Sequence, residues 1–251
     1  VKRQRVDHLL VARGLAETRA KAQALVMAGA VFTGERRVEK PGDMLGPDTP
    51  IEVRGQLPYV SRGGLKLVAG LDAFGIDPAG MIAIDIGAST GGFTDVLLQR
   101  GAARVYAVDV GYGQLHHKLR QDSRVVVLER TNARQLSPSE FPEPVDLVVC
   151  DTSFISLRLV LPAALALTRP AAWLVALIKP QFEAGKADVG KGGVVRDPVV
   201  HTRVCQEIHD WLAGITGWTV LGIIPSPITG PAGNKEFLIA ARHQSGLPPS
   251  N

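Results

Sequence analysis

Between Met81 and Leu97 the chain sets a short apolar run, Met81-Ile82-Ala83-Ile84-Asp85-Ile86, before a glycine turn, Gly87-Ala88-Ser89-Thr90-Gly91-Gly92. Phe93 to Arg100 then resume at helical spacing. An apolar run of this length, closed by glycine, reads as a parallel strand covered by helices on both faces. Strand, glycine turn and helix together predict a doubly wound α/β fold, which brings backbone N–H groups and a helix N-terminus up to a ligand. The spacing is Gly-x-x-x-Gly-Gly, not the dinucleotide pattern Gly-x-Gly-x-x-Gly, and Asp85 stands two residues before the first glycine. A turn that cradles pyrophosphate has no use for a carboxylate there. A ligand with an amino group and a sulfonium charge does, which points to S-adenosylmethionine (AdoMet) ahead of NAD. Another nucleotide, or a purely structural turn, stays open on the motif alone.

The α/β alternation continues to the end of the chain. Arg104 to Asp109, Val125 to Leu128, Val145 to Cys150 and Trp173 to Ile178 read as strands two to five. Thr219 to Ile224 and Glu236 to Ala241 complete a seven-stranded sheet. A helix follows Ser61-Arg62-Gly63-Gly64, with Leu65, Leu67, Val68, Leu71 and Phe74 inward. Lys66 near its start reads, taken alone, as solvated. In such a sheet the ligand lies at the carboxyl ends of the strands, and Asp85, Asp109, Asp151 and Lys179 all fall there. Salt bridging is the other reading, and it leaves four charges at four strand ends poorly explained. Asp109 closes the second strand 22 residues after Gly87, where an acid holds ribose hydroxyls. The expected cofactor set is therefore Asp85, Gly87, Ala88, Ser89, Gly91, Gly92 and Phe93, with Asp109, Val110 and Asn132. Asn132 either meets an adenine edge or caps a turn. A Gly- and Lys-rich loop, Ala184 to Gly193, is expected to be mobile and to close over substrate, with a solvated surface loop as the alternative.

Charge is placed unevenly. Residues 1–40 hold nine Lys and Arg against four Asp and Glu, a net of +5. The whole chain holds 28 against 24, so residues 41–251 hold 19 against 20. This asymmetry predicts a polyanion-binding module joined to a neutral catalytic body, with a solvated helix face as the plainer explanation. Val6 to Arg13 reads as a short amphipathic helix stopped by Gly14. Thr18 opens a second helix with Ala22, Leu25 and Val26 inward, and Val31 to Thr33 and Ile51 to Val53 read as strands.

Arg5-Val6-Asp7, Leu10, Gly14, Thr18-Arg19, Ala22, Leu25-Val26, Gly29, Val31 and Lys40-Pro41-Gly42 resemble the S-four RNA-binding domain, with threonine at position 18 where serine is expected. The resemblance implies that Arg3, Arg5, Arg19, Lys21 and Lys40 meet phosphate. With few aromatics among them, RNA shape and backbone are expected to be read more than bases.

The second resemblance covers nearly the whole chain. Ser61-Arg62-Gly63-Gly64-Leu65-Lys66, the Asp85–Thr94 string, Asp109-Val110-Gly111-Tyr112-Gly113-Gln114-Leu115 and Lys179-Pro180-Gln181-Phe182-Glu183 are similar to the TlyA family. The set Lys66, Asp151, Lys179 and Glu236 matches the tetrad of FtsJ-like ribose 2′-O-methyltransferases. The resemblance implies AdoMet-dependent methylation of a cytidine ribose in ribosomal RNA, with these four as catalytic residues and Arg62 as a further RNA contact. It implies an S-four-type domain over residues 1–54, a linker at 55–60, a Rossmann-like seven-stranded methyltransferase domain at 61–243 and a frayed tail at 244–251. Lys179 is expected to meet the hydroxyl. A free lysine is protonated at neutral pH, so it acts as a base only if its surroundings favour the neutral amine, and otherwise as a steering charge.

Cys150 and Cys205 lack metal-ligand spacing, and no metal is expected. Arg13 interrupts the apolar residues behind the basic start too early for a signal peptide. Leu157 to Ile178 holds Arg158, Pro162, Arg169 and Pro170, which suits a helix and strand better than a membrane span. A cytoplasmic protein, without membrane contact and monomeric, is the expectation. Three rivals remain: a nicotinamide oxidoreductase, a non-catalytic RNA-binding protein with a vestigial nucleotide site, and a haemolysin, as the family's older name suggests.

Overall fold

The computed structural model describes residues 3–55 and 58–244. The expected linker positions 56–57 and the tail from residue 245 lie outside the described residues. The chain divides into two compact units between Pro58 and Tyr59.

The first unit runs β1 (Gln4–Arg5), α1 (Val6–Ala12), α2 (Arg19–Met27), β2 (Val31–Thr33), β3 (Arg36–Arg37), β4 (Met44–Leu45) and β5 (Glu52–Val53). Val6, Leu10, Ala22, Val26 and Val31 meet in its core, so the apolar spacing of both helices turns inward as read. The Thr18 side chain accepts from Lys21 N at 3.2 Å and caps α2, filling the role expected of serine. Lys40 to Asp43 form a turn, with Asp43 N donating to Lys40 O. Two short pairings were not read from the sequence. β1 lies antiparallel to β4, and β3 pairs antiparallel with β2. Two-residue strands carry too little pattern to show periodicity.

The second unit contains α3 (Gly63–Phe74), β6 (Ile82–Ile86), α4 (Gly92–Gln99), β7 (Arg104–Val108), α5 (His117–Arg120), β8 (Val125–Leu128) and β9 (Val145–Cys150). It continues through α6 (Leu157–Leu165), β10 (Thr168–Ile178), α7 (Pro180–Glu183), α8 (Pro198–Ala213), β11 (Trp218–Pro225) and β12 (Phe237–His243). The seven-stranded sheet has the order β11-β12-β10-β9-β6-β7-β8. β6 to β10 pair in parallel, and β12 enters antiparallel beside β10. Alternation along β6 divides the core. Ile84 and Ile86 pack towards Leu161, Val204 and Ile208 of α6 and α8, while Ala83 packs with Leu67, Leu71, Val96 and Leu97 of α3 and α4.

The chain leaves β6 for β7 and β8 on one side and returns to β9 on the other. The ends of β6 and β9 therefore flank the point where the winding reverses, the place such sheets bind ligands. β10 starts earlier than expected, at Thr168 and not Trp173, with a register break between the two. Pro170 offers no N–H to the ladder, and Ala171 sits at φ 66, so a bulge interrupts the strand. Among the described residues no helix is long and apolar enough to cross a membrane.

Candidate active site

Register alone brings four distant residues together. Ile86 pairs with Cys150, so Gly87 and Asp151 leave adjacent strand ends side by side. Ile178 pairs with Phe237, so Lys179 and Glu236 flank one rung of an antiparallel ladder. Glu236 precedes β12 and was expected to begin it; the antiparallel entry is what places it at the carboxyl ends of the parallel strands.

Lys66, Asp151, Lys179 and Glu236 form one ionic row. Lys66 Nζ lies 2.6 Å from Glu236 Oε2 and 3.6 Å from Asp151 Oδ2, and Lys179 Nζ lies 2.6 Å from Asp151 Oδ1. Lys179 also donates to Ser153 Oγ at 3.1 Å. The order Glu236, Lys66, Asp151, Lys179 alternates in sign, which lets four charges share a buried site without net charge. Only Asp151 keeps appreciable exposure, 20% of its side chain. Lys66 is therefore buried, against the solvated reading its lone position suggests: α3 turns it inward beside Leu67 and Gly70. Glu236 Oε1 has no hydrogen-bond partner among the described residues. A Cβ at Gly230 would run into it, so a larger residue there has to displace the Glu236 carboxylate.

Lys66, Asp151 and Lys179 of this row line a cavity of about 480 Å³, shared with Arg62, Asp85, Gly87, Ala88, Ser89, Gly92 and Phe93. Gly87 stands at φ 80, where a Cβ would lie 2.9 Å from Asp151 O. Gly91 stands at φ 94 as the residue capping α4. Gly87 N and Ala88 N both donate to Val108 O, which fixes the turn against β7. Asp109 braces it from the next strand, accepting from Ser89 N at 2.8 Å and Gly111 N at 2.7 Å. Asp109, Val110 and Asn132 line a second cavity of about 420 Å³, which shares Gly87, Ser89, Asp151 and Ser153 with the first. Asn132 serves the capping role, accepting from Arg134 N, while still facing this cavity.

Asp85 is fully buried. Its Oδ2 accepts from Thr94 N at 2.9 Å and Thr94 Oγ1 at 2.7 Å, and its Oδ1 has no partner among the described residues. Burial pushes its carboxyl up to about 7; the Thr94 bonds oppose the rise, and the charges of Asp151 and Asp109 add to it. An unpartnered buried carboxylate oxygen on a cavity wall fits a ligand's amino group, and the glycine turn leaves room for close approach. The residues thus suit AdoMet, with the second cavity offering Asp109 and Asn132 to its nucleoside end. Burial raises the neighbouring Cys150 thiol to about 12, which excludes it as a nucleophile at neutral pH. Among the described residues no His, Cys, Asp and Glu cluster is arranged to hold a metal ion.

Sequence reasoning missed Ser153, Gly230 and Phe154. Phe154 is 89% exposed at φ 66, stands on the second cavity and meets Phe182 at 5.0 Å between ring centroids. A strained, exposed aromatic beside a site leaves no mark in the sequence. The Ala184–Gly193 loop carries contacts of its own. Asp188 pairs with Arg203 at 2.6 Å, Gly190 bridges to Val194, and the buried Asn234 donates to Gly193 O and accepts from Val195 N.

In the first unit, Arg5 and Arg19 are not loose charges. Both bond the fully buried Asp7, Arg5 through Nε and Nη2 and Arg19 through Nε, and Gln23 donates to the same carboxylate. The Arg5 bond leads in holding the Asp7 carboxyl well below the usual range. Lys21 pairs with Glu17, and Lys40 is exposed. Arg3 lines a cavity of about 320 Å³ with Arg36 and Arg37, two exposed arginines absent from the expected set. Arg62 is exposed on the rim of the ionic site.

Comparison with known proteins fits this geometry. Residues 59–243 match the model of the FtsJ-like methyltransferases, and residues 4–51 that of the S4 domain. The 16S/23S rRNA (cytidine-2′-O)-methyltransferase TlyA of Mycobacterium tuberculosis is 49% identical over 246 residues, 97% of this chain and 91% of that protein. Hemolysin A of Brachyspira hyodysenteriae is 40% identical over 235 residues, 93% and 98% of the two chains. A solved Streptococcus thermophilus structure that carries a hemolysin name aligns at TM-score 0.72 with 44% identity, covering 98% of this chain and 90% of that one. The chain therefore belongs to the TlyA family, FtsJ-like methyltransferases with an S4 domain in front.

Proposed function

We propose that the protein transfers a methyl group from AdoMet to the 2′-hydroxyl of a cytidine in ribosomal RNA. The observation that carries this reading is the alternating row of Glu236, Lys66, Asp151 and Lys179 at the strand ends, against the wall of the glycine-turn cavity. Family membership and the names of the relatives support rRNA and the 2′-oxygen of cytidine as the target.

AdoMet, when bound, supplies a methyl already activated on a sulfonium. The protein's task is alignment and proton management. Asp85 Oδ1 and the Gly87–Gly92 turn hold the amino-acid end, and Asp109 and Asn132 the nucleoside end. Asp151 and Ser153 fix Lys179 Nζ from two directions, which leaves a remaining direction for the substrate oxygen. Lys66, pinned by Glu236, holds the other oxygen of Asp151. Lys179 orients the hydroxyl and either takes its proton or stabilises the oxygen while the proton leaves to water. The exposed ring of Phe154 offers a stacking surface to a base drawn out of its helix.

Single-turnover methylation at saturating AdoMet and rRNA tests the assignment. Lys179→Met keeps stem length and apolar bulk, so AdoMet and RNA binding should persist while transfer slows by about 10²-fold or more. Lys179→Arg should fail nearly as badly if the amine accepts the proton, since guanidinium does not give one up. Transfer by Lys179→Met at the parent rate would remove Lys179 from the reaction, and activity in Lys179→Arg alone would make it a steering charge.

A further inference from the structure

We infer that Glu183 is a positioning residue for methyl transfer, holding Lys179 against Asp151 from four residues away without touching substrate or cofactor. The inference rests on the role of Lys179 proposed above.

Two segments of chain form a closed circuit around the site. Asp151 leaves β9, and the segment that follows reaches Ser156 at the start of α6. Lys179 leaves β10, and the single turn of α7 ends at Glu183. At one end of the circuit Lys179 Nζ meets Asp151 Oδ1 at 2.6 Å. At the other, Glu183 Oε2 accepts from Ser156 Oγ at 2.6 Å and Oε1 accepts from Leu157 N at 2.8 Å. Phe154 and Phe182 meet between them. Two short segments latched at both ends and braced in the middle have little freedom left to change the Lys179–Asp151 separation. Releasing the Glu183 latch leaves α7 held to the segment after β9 by the Phe154–Phe182 contact and by the Lys179 bonds it should be positioning.

Glu183 is partly desolvated to make this latch. Burial raises its carboxyl above the ordinary range, against the opposing effect of the Ser156 and Leu157 bonds. A carboxylate whose only task was to cap α6 would serve stability. It would have no bearing on the rate once AdoMet and RNA are bound. That difference separates the two roles.

The test uses the full chain, AdoMet labelled on its methyl, and ribosomal subunits from cells lacking this gene. Glu183→Ala should slow saturated single-turnover transfer by about tenfold to hundredfold, the range a small misplacement near the reacting atoms produces. Its affinities for AdoMet and for the subunits should stay within about twofold of the parent. Glu183→Gln should restore the rate to within about threefold, because its amide oxygen accepts from Leu157 N and its NH₂ donates to Ser156 Oγ. Should Glu183→Ala fail to fold, Ser156→Ala removes one of the two bonds and should slow transfer with unchanged affinities. A parent rate in Glu183→Ala or in Ser156→Ala overturns the inference, and so does a Glu183→Gln variant as slow as the alanine. Lys179→Met measured in parallel separates the two readings: if it is inactive while Glu183→Ala runs at full rate, only the positioning role fails, and if Lys179→Met is itself fully active, the tetrad reading fails.

Discussion

At the scale of single residues, Asp85 has the sharpest consequence. With its carboxyl pushed up to about 7, the folded chain binds a proton that the unfolded chain has already lost between about pH 4 and 7. Stability from this group is therefore present at low pH and lost as pH rises through 7, where an ionised, half-satisfied carboxylate is left buried. A cationic amino group would favour that ionised form. Asp85→Asn should accordingly raise the melting temperature of the ligand-free protein at pH 8, with the gain shrinking as pH falls below 7 and gone by about pH 4. The same variant should weaken AdoMet by about 1–3 kcal/mol at pH 8, the worth of a charge-assisted hydrogen bond. Thermal melts and calorimetry read both effects; equal AdoMet affinity, or a variant less stable than the parent at pH 8, would refute the assignment. Asp85 was legible in the sequence because an acid two residues before a glycine turn is out of place in an apolar strand. Lys66 and Glu236 were not legible from their own surroundings, since one lies in an amphipathic helix and the other before a strand. Only the resemblance to a known tetrad selected them. Ser153 and Gly230 escaped even that, because their roles come from contacts made 26 residues away, Ser153 to Lys179, and across a loop, Gly230 to Glu236.

At the scale of elements, the strands of the large sheet could be read because each is a run of mostly apolar residues closed by glycine, proline or a charge. The bulge in β10 and the two-residue strands of the first unit could not, since hydrogen-bond register leaves little trace in short patterns. The glycine turn carries the element-scale prediction. Gly87 combines a left-handed backbone with a missing Cβ, which would meet Asp151 O at 2.9 Å and Thr152 Cγ2 at 3.0 Å. Gly87→Ala should cost about 1–3 kcal/mol of stability through backbone strain. It should also slow transfer, because relief of the clash moves the segment carrying Asp151. Urea denaturation and single-turnover rates check this together. An unshifted midpoint with an unchanged rate would show that the close packing of β6 and β9 has no such consequence.

At the scale of the whole molecule, charge and chemistry separate along the chain. The excess of +5 lies in residues 1–40, and the ionic row lies wholly in the second unit. RNA affinity should therefore fall with salt in proportion to the phosphates held by the first unit. The structure changes which residues test this. Replacing Arg5 or Arg19 would take a partner from the buried Asp7 and report on folding as well as on binding. Arg3, Arg36 and Arg37 are exposed and share one cavity, so their triple replacement by Ala should weaken rRNA binding and flatten the salt slope by roughly one unit per lost phosphate contact. AdoMet binding should be unaffected. An unaltered slope would place the phosphate contacts elsewhere. The central claim, that this site methylates a ribose 2′-oxygen of rRNA, is tested most directly by mass-spectrometric mapping. Ribosomal subunits from cells lacking this gene are incubated with the purified protein and labelled AdoMet, then digested to nucleosides. The account predicts label in 2′-O-methylcytidine, and none when Lys179→Met replaces the parent. Label on a base, or no transfer to rRNA by the folded, AdoMet-binding protein, would contradict it.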